Sequence, residues 1–221
     1  MLNLIIKDLY LQKKMFLFAL GYSLFVLVAF QNPVFEAGSY IMGAVAVAYM
    51  FILGVCAYED KNKSEIILIS LPLKRRIIVV SKYLSVFIFT MVSLGLIGIL
   101  GVIMKGSGLP VPIRYIGFRD VVGALASIGF LVSLYFPFYF RFGYIKSRFF
   151  NLVLFLMVFF APTLVVELVK NNYGPEFLAQ ALAVVNSLSD WQAVLGLVGL
   201  VFLMMFVSMV ISIALYLKRD F

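Results

Sequence analysis

The chain has 221 residues, a net charge of +8, and 64% hydrophobic against 13% charged residues, with a mean hydropathy of +1.11. A soluble domain carries about a quarter charged residues; here the apolar residues are gathered in long runs, which places the chain in a bilayer and leaves no length for a separate soluble catalytic domain. With no His and one Cys, His-based triads, HExxH zinc sites and an intrachain disulfide are excluded, and the positive charge reads as basic loops of a membrane protein, not as a nucleic-acid surface.

Residues 1–14, MLNLIIKDLYLQKK, are expected to form an amphipathic helix. Leu2, Ile6 and Leu9 follow helical spacing on one face, and Asn3, Lys7 and Lys14 lie on another. Such a helix lies in the headgroup layer with Lys13 and Lys14 at the phosphates; the other reading is that it simply extends span one. The segment lacks the A-x-A-like site of a signal peptide. Six spans of membrane-crossing length follow, at about 15–32, 39–58, 78–104, 119–140, 149–168 and 193–216. Cys56 lies within the second and reads as a small packing residue.

With the N-terminus inside, fourteen of the eighteen basic residues fall in cytoplasmic segments. They lie on the first helix, between spans two and three, at Lys82 near the inner start of span three, around Arg141, Lys146 and Arg148, and at Lys218 and Arg219. Only Lys105, Arg114, Arg119 and Lys170 fall outside, so the positive-inside rule puts both termini in the cytoplasm.

Between spans two and three stands YEDKNKSEIILISLPLKRR, residues 58–76. Asp60 and Ser64 can cap a helix, and Glu59, Asp60 and Glu65 suit its positive end. Pro72 disfavours helical geometry at Leu71 and so ends the helix near Ser70. At 100° per residue, Ile66, Ile67, Leu68 and Ile69 point in four directions. A membrane surface covers one side only, so a cytoplasmic partner is the natural cover for the rest. A short strand, or a helix tucked against the chain's own spans, are the other readings.

Acidic residues elsewhere are few. Asp120 suits the start of a helix. Glu167, near the end of span five, is either part of a substrate path or a boundary partner of Lys170 one turn on. Pro162 is expected to kink span five. Gly95, Gly98 and Gly101 in span three, and Gly196 and Gly199 in span six, suit close helix packing. The aromatic-rich stretch LYFPFYFRFGY, with Phe136 and Tyr139, is an interfacial belt or a surface for an apolar cargo. No P-loop, G-x-S-x-G or CxxC is present, so the chain is expected to hydrolyse nothing and to hold no metal or cofactor of its own.

YEDKNKSEIILISLP followed by KRRIIVVSKYL resembles the coupling region of six-span permeases of type-two ABC exporters. LNLIIKDLYLQKK and FRFGYIKSRFFN extend the likeness over most of the chain, toward peptide exporters of the phenol-soluble modulin kind. The resemblance implies an all-α membrane domain over residues 1–221, with an N-terminal elbow helix and a short cytoplasmic coupling helix. Two permease chains, identical or paralogous, would pair in the bacterial cytoplasmic membrane, served by two copies of a separate ATPase subunit that binds ATP and Mg. Docking on that subunit would fall to Glu59, Asp60, Lys61, Asn62, Lys63, Ser64, Glu65, Ile66, Ile67, Leu68, Ile69, Ser70 and Leu71. Phe136, Tyr139, Pro162 and Glu167 are the candidates for the path of an amphipathic peptide. An ion-coupled transporter or channel, or a non-transporting immunity or assembly protein, are the competing classes; the former needs midplane charges or broken helices.

Overall fold

A computed structural model describes residues 2–29, 38–64, 74–107, 114–187 and 190–219, with side chains for the same residues except Leu2, 155–156, 158–187, 190 and 193. Among these residues it is all-helical: α1 (Leu2–Leu11), α2 (Lys13–Ala29), α3 (Ser39–Lys61), α4 (Arg75–Gly106), α5 (Phe118–Ser187) and α6 (Asp190–Leu217). In lipid every backbone N–H and C=O has to be paired within the protein, which long apolar sequence achieves by staying helical. Four stretches are long and apolar enough to cross a membrane: Ser39–Lys61, Arg75–Gly106, Phe118–Leu154 and Val194–Leu217. Five are counted if Asn3–Leu11 and Lys13–Ala29, which meet at 61°, form one broken span. Against the expected six spans, four or five are found within the described residues.

The bundle is apolar outward and mixed inward. Leu17 and Phe18 on α2, Val102 and Ile103 on α4, and Leu200, Leu203 and Phe206 on α6 all face out, as suits a surface covered by acyl chains. Inside, the hydroxyls of Ser81, Ser85, Thr90 and Ser93 each donate at 2.8 Å to a carbonyl three or four residues earlier on α4, which satisfies them without a partner helix. Gly101 is required: a Cβ there would strike the Tyr40 hydroxyl. Gly95, Gly196 and Gly199 have open space around them within this chain.

Helix α5 is assigned without interruption but is not straight. Tyr135 Oη lies 3.4 Å from Ser147 Oγ, and the rings of Phe138 and Phe150 stack with centroids 3.6 Å apart. Twelve residues of straight α-helix rise about 18 Å, so the chain must bend sharply between them. It does so at Gly143, whose φ is +78°, a value that glycine reaches without a Cβ clash. The bend falls between the predicted fourth and fifth spans. Beyond it the helical backbone runs through Pro162 and on to Ser187. Residues 169–187 of the expected outer loop are therefore helical.

The helices alternate in direction, and their ends gather in two sets. At one, Arg114 grips Asp120 through Nη1–Oδ2 at 2.8 Å and Nη2–Oδ1 at 2.6 Å, and Gly117 N–H donates to Asp120 Oδ2 at 2.7 Å. The carboxylate thus covers a free N–H at the start of α5, as its sequence position leads one to expect. The Tyr40 hydroxyl donates to the Arg114 carbonyl, and Phe118 meets Trp191 at the start of α6. At the other end lie α1, the end of α3, the start of α4, the Gly143 bend and the end of α6. From Tyr40 to Glu59 along α3 is about 28 Å at 1.5 Å per residue, close to the ~30 Å hydrocarbon thickness.

Candidate functional site

The second set of helix ends includes the end of α3 and the start of α4, and it is organised around buried charge. Glu59 stands in the last turns of α3 and Lys82 in the third turn of α4, with Asp8 and Lys7 on α1. Asp8 and Glu59 are each 2% exposed and Lys82 is 5% exposed. The Lys82 ammonium lies 2.9 Å from Glu59 Oε2 and 3.1 Å from Asp8 Oδ2. The other Glu59 oxygen accepts from Lys7 Nζ at 2.6 Å, and Lys7 closes on Asp8 Oδ1 at 3.4 Å. Two cations and two anions alternate in a closed, neutral ring. The Tyr139 hydroxyl on α5 donates to Glu59 Oε2 at 3.2 Å, which brings a fourth helix to the ring.

The ring is unequal around its circumference. Among the described residues Asp8 Oδ1 receives no hydrogen bond, so its 3.4 Å approach to Lys7 is a Coulombic contact and the weakest side. Lys7 is also the one member open to the outside, with its side chain 34% exposed. Beneath Lys82, the space lined by Ile52, Val55, Cys56, Ser85, Phe89 and Phe136 is too small for a water molecule. Dry, apolar walls keep the local dielectric low and the pairing strong.

One turn beyond Asp8, Gln12 marks the break between α1 and α2. It is buried, and its Nε2 donates to the Phe51 carbonyl on α3 at 3.1 Å. Gly54 makes room for it, since a Cβ there would come within 3.0 Å of the Gln12 amide. The inward face of α1 is therefore Ile5 and Asp8, continued by Gln12 just past its end, while Ile6 is 44% and Tyr10 63% exposed. Two polar side chains turn in because α3 and α4 hold partners for them, and Ile6 turns out.

Around the ring the remaining ends are tied more loosely. Arg75 Nη1 at the start of α4 donates to the carbonyls of Leu217 and Arg219 at 3.4 and 3.3 Å. Arg219 Nη1 donates to the Phe140 carbonyl at 3.4 Å, and Nη2 lies over Gly143.

Of the thirteen residues expected to dock a partner, Glu59 is turned into the bundle as a ring member. Asp60 lies in the last turn of α3, which runs to Lys61, and so does not begin a new helix. Lys61, Asn62 and Lys63 are exposed, Ser64 is half-buried, and Lys63 turns the chain with φ +49°. Glu65, Ile66, Ile67, Leu68, Ile69, Ser70 and Leu71 lie outside the described residues. Phe136 and Tyr139 are packed in an aromatic core, the Phe136 ring edge-on to Tyr83 at 4.9 Å. Pro162 and Glu167 lie on the helical backbone beyond the bend, with side chains outside the described set.

The sequence reading did not single out Lys82, Asp8 or Lys7 for this role. The signal was present for Lys82: it stands in IVVSKYLSVF, inside the span predicted at 78–104. A lysine among apolar residues within a span requires a partner. Its partners were harder to find, being 74 and 23 residues away in the chain.

Against known proteins, the family described as ABC-2 family transporter protein matches residues 3–217. No curated protein and no solved structure matches the chain.

Proposed function

Because the chain belongs to the ABC-2 transporter family, we propose that it is the permease subunit of an ATP-driven exporter, paired with a second permease and powered by separate ATPase subunits. The observation that carries this reading is the extent of the family match, which takes in every helix from α1 to α6. The absence of a P-loop from the sequence fits a division of labour in which ATP and Mg are bound by a partner. Docking is assigned to the exposed residues Lys61, Asn62 and Lys63 and onward through Leu71, with the apolar run Ile66–Ile69 as its buried part. Glu59 and Asp60 serve at its stem. The cargo is proposed to be an amphipathic peptide and the location the bacterial cytoplasmic membrane, on the likeness of residues 59–83 to peptide-exporter permeases. An ion-coupled mechanism is less well supported, because the buried charges of the described residues lie at helix ends and not at the midplane.

The test is co-purification of the full chain with an ABC ATPase from the same genome, followed by ATP-dependent peptide uptake into inverted vesicles. Ile67→Asp and Leu68→Asp are expected to abolish co-purification while the purified chain keeps its helical circular dichroism. Transport that continues without ATP and collapses with the proton gradient would refute the assignment.

A further inference from the structure

We infer that the outward face of α5 just past the Gly143 bend binds an anionic phospholipid of the leaflet on the side of the charge ring. Lys146 and Arg148 hold its phosphate, and Ile145, Phe149 and Leu152 lie along its acyl chains.

On the helix that leaves the bend, Ser147 and Leu154 turn inward, and Ile145 and Phe149 are 75% and 73% exposed. At 100° per residue, Ile145, Phe149 and Leu152 form an apolar stripe about 60° wide, with Arg148 on one flank and Lys146 on the other. Arg141, exposed just before the bend, carries its guanidinium 5.3 Å from the Phe142 ring centre and adds a third cation to the same end.

Depth selects a lipid over a protein partner. Ser147 meets Tyr135, and Phe150 stacks on Phe138, so residues 147–150 run alongside 135–138 and not beyond the end of the bundle. Tyr139, which follows that stretch, already reaches Glu59. Asn151 pairs with Tyr49, which stands about 15 Å before Glu59 along α3. At the level of Arg148 the exposed neighbours are Leu134, Phe138 and Phe149, a surface for acyl chains. A cation at that depth is met from within the bilayer. A lipid phosphate can do so, because long basic side chains extend to the headgroups while their stems stay in apolar surroundings. A protein docked on the end of the bundle approaches from beyond the bend.

Charge points to the same occupant. Arg141, Lys146 and Arg148 form no ion pair among the described residues. Asp60 stands near the bend, but over Gly143, where Arg219 also lies. A zwitterionic headgroup carries its own cation beside the phosphate, whereas an anionic one leaves its charge to be matched by the protein. Each basic side chain near an anionic membrane surface favours binding about fivefold.

The full chain has one tryptophan, Trp191, at the other end of the bundle. Trp191→Phe combined with Phe149→Trp moves that fluorophore onto the stripe. In vesicles of phosphatidylcholine and phosphatidylglycerol, with one or the other brominated in its acyl chains, quenching reads which lipid sits there. Phosphatidylglycerol is expected to be preferred about fivefold or more, and adding Lys146→Gln and Arg148→Gln is expected to bring the ratio to about one. No preference before the two cations are removed, or an equal preference after, overturns the inference. No preference, together with loss of ATPase co-purification in the Lys146→Gln, Arg148→Gln variant, gives the surface to a protein partner instead. Should Phe149→Trp aggregate, Leu152→Trp on the same stripe is read by the same criteria. Should the double cation variant aggregate, Arg148→Gln alone is expected to lower the preference, and an unchanged preference refutes the site.

Discussion

Lys82 is the residue on which the inner end of the bundle turns. It is the only ring member that touches both α1 and α3 by close contacts, and the most deeply committed cation among the described residues. Truncating it leaves two buried carboxylates served by Lys7 and Tyr139 alone. Removing one partner of a buried pair costs about 3–5 kcal/mol, so Lys82→Met is expected to lower the unfolding temperature sharply in a detergent melt. Lys7 is partly exposed and its loss leaves Glu59 with Lys82, so Lys7→Met is expected to lower the unfolding temperature less than Lys82→Met does. Equal losses in the two variants would contradict the unequal ring. That Lys82 is special was legible, as a lysine placed inside an apolar run. Which atoms neutralise it was not, because pairing across 74 residues is decided by helix packing and leaves no local pattern.

Among the elements, the long apolar helices were the most legible part, since lipid demands an apolar run of known length. The first helix was legible as a helix, but which of its residues turn toward the bundle was not. An apolar moment predicts the buried side only where the neighbour is apolar, and α3 and α4 present a carboxylate, an ammonium and a carbonyl to α1. The length of α5 was not legible for a different reason. Hydropathy records where a helix leaves the lipid, and NNYGPEFLAQALAVVNS continues as a helix after that point. Within it, FLAQALA is rich in strong helix formers. The bend at Gly143 gives an element-level prediction. Gly143→Ala forces a Cβ into left-handed geometry, at about 1–2 kcal/mol, and to within 3.0 Å of the Arg219 guanidinium. A fall in melting temperature is expected, whereas Gly95→Ala, with open space around it, is expected to leave the melt unchanged.

For the molecule as a whole, contacts join α1, the 59–82 stem, the Gly143 bend and Arg219 at one end. Arg114, Asp120, Tyr40 and Trp191 mark the other. This is the grouping that counting basic residues alone implies, and the orientation with the ring end inside is the expectation that rests on that count. Lys146→Cys is therefore expected to react with an impermeant maleimide only from the cytoplasmic side, and Tyr115→Cys only from outside, both in a Cys56→Ser background. The reverse pattern would invert the topology. Family membership was legible because residues 59–83 resemble the coupling region of such permeases, not because composition or spacing alone singles out that use.

The neutrality of the ring has one more consequence, for the order in which the chain is made. Its members emerge from the ribosome as Lys7, Asp8, Glu59 and Lys82, so their running sum is +1, 0, −1 and 0. The nascent chain never carries more than one uncompensated charge of this set. When α3 arrives with Glu59, Lys7 is already present to receive it; when α4 arrives, Lys82 balances the account before translation has reached α5. A site that looks, in the finished protein, like four expensive burials can be assembled in steps that each leave at most one ion waiting for its counterpart.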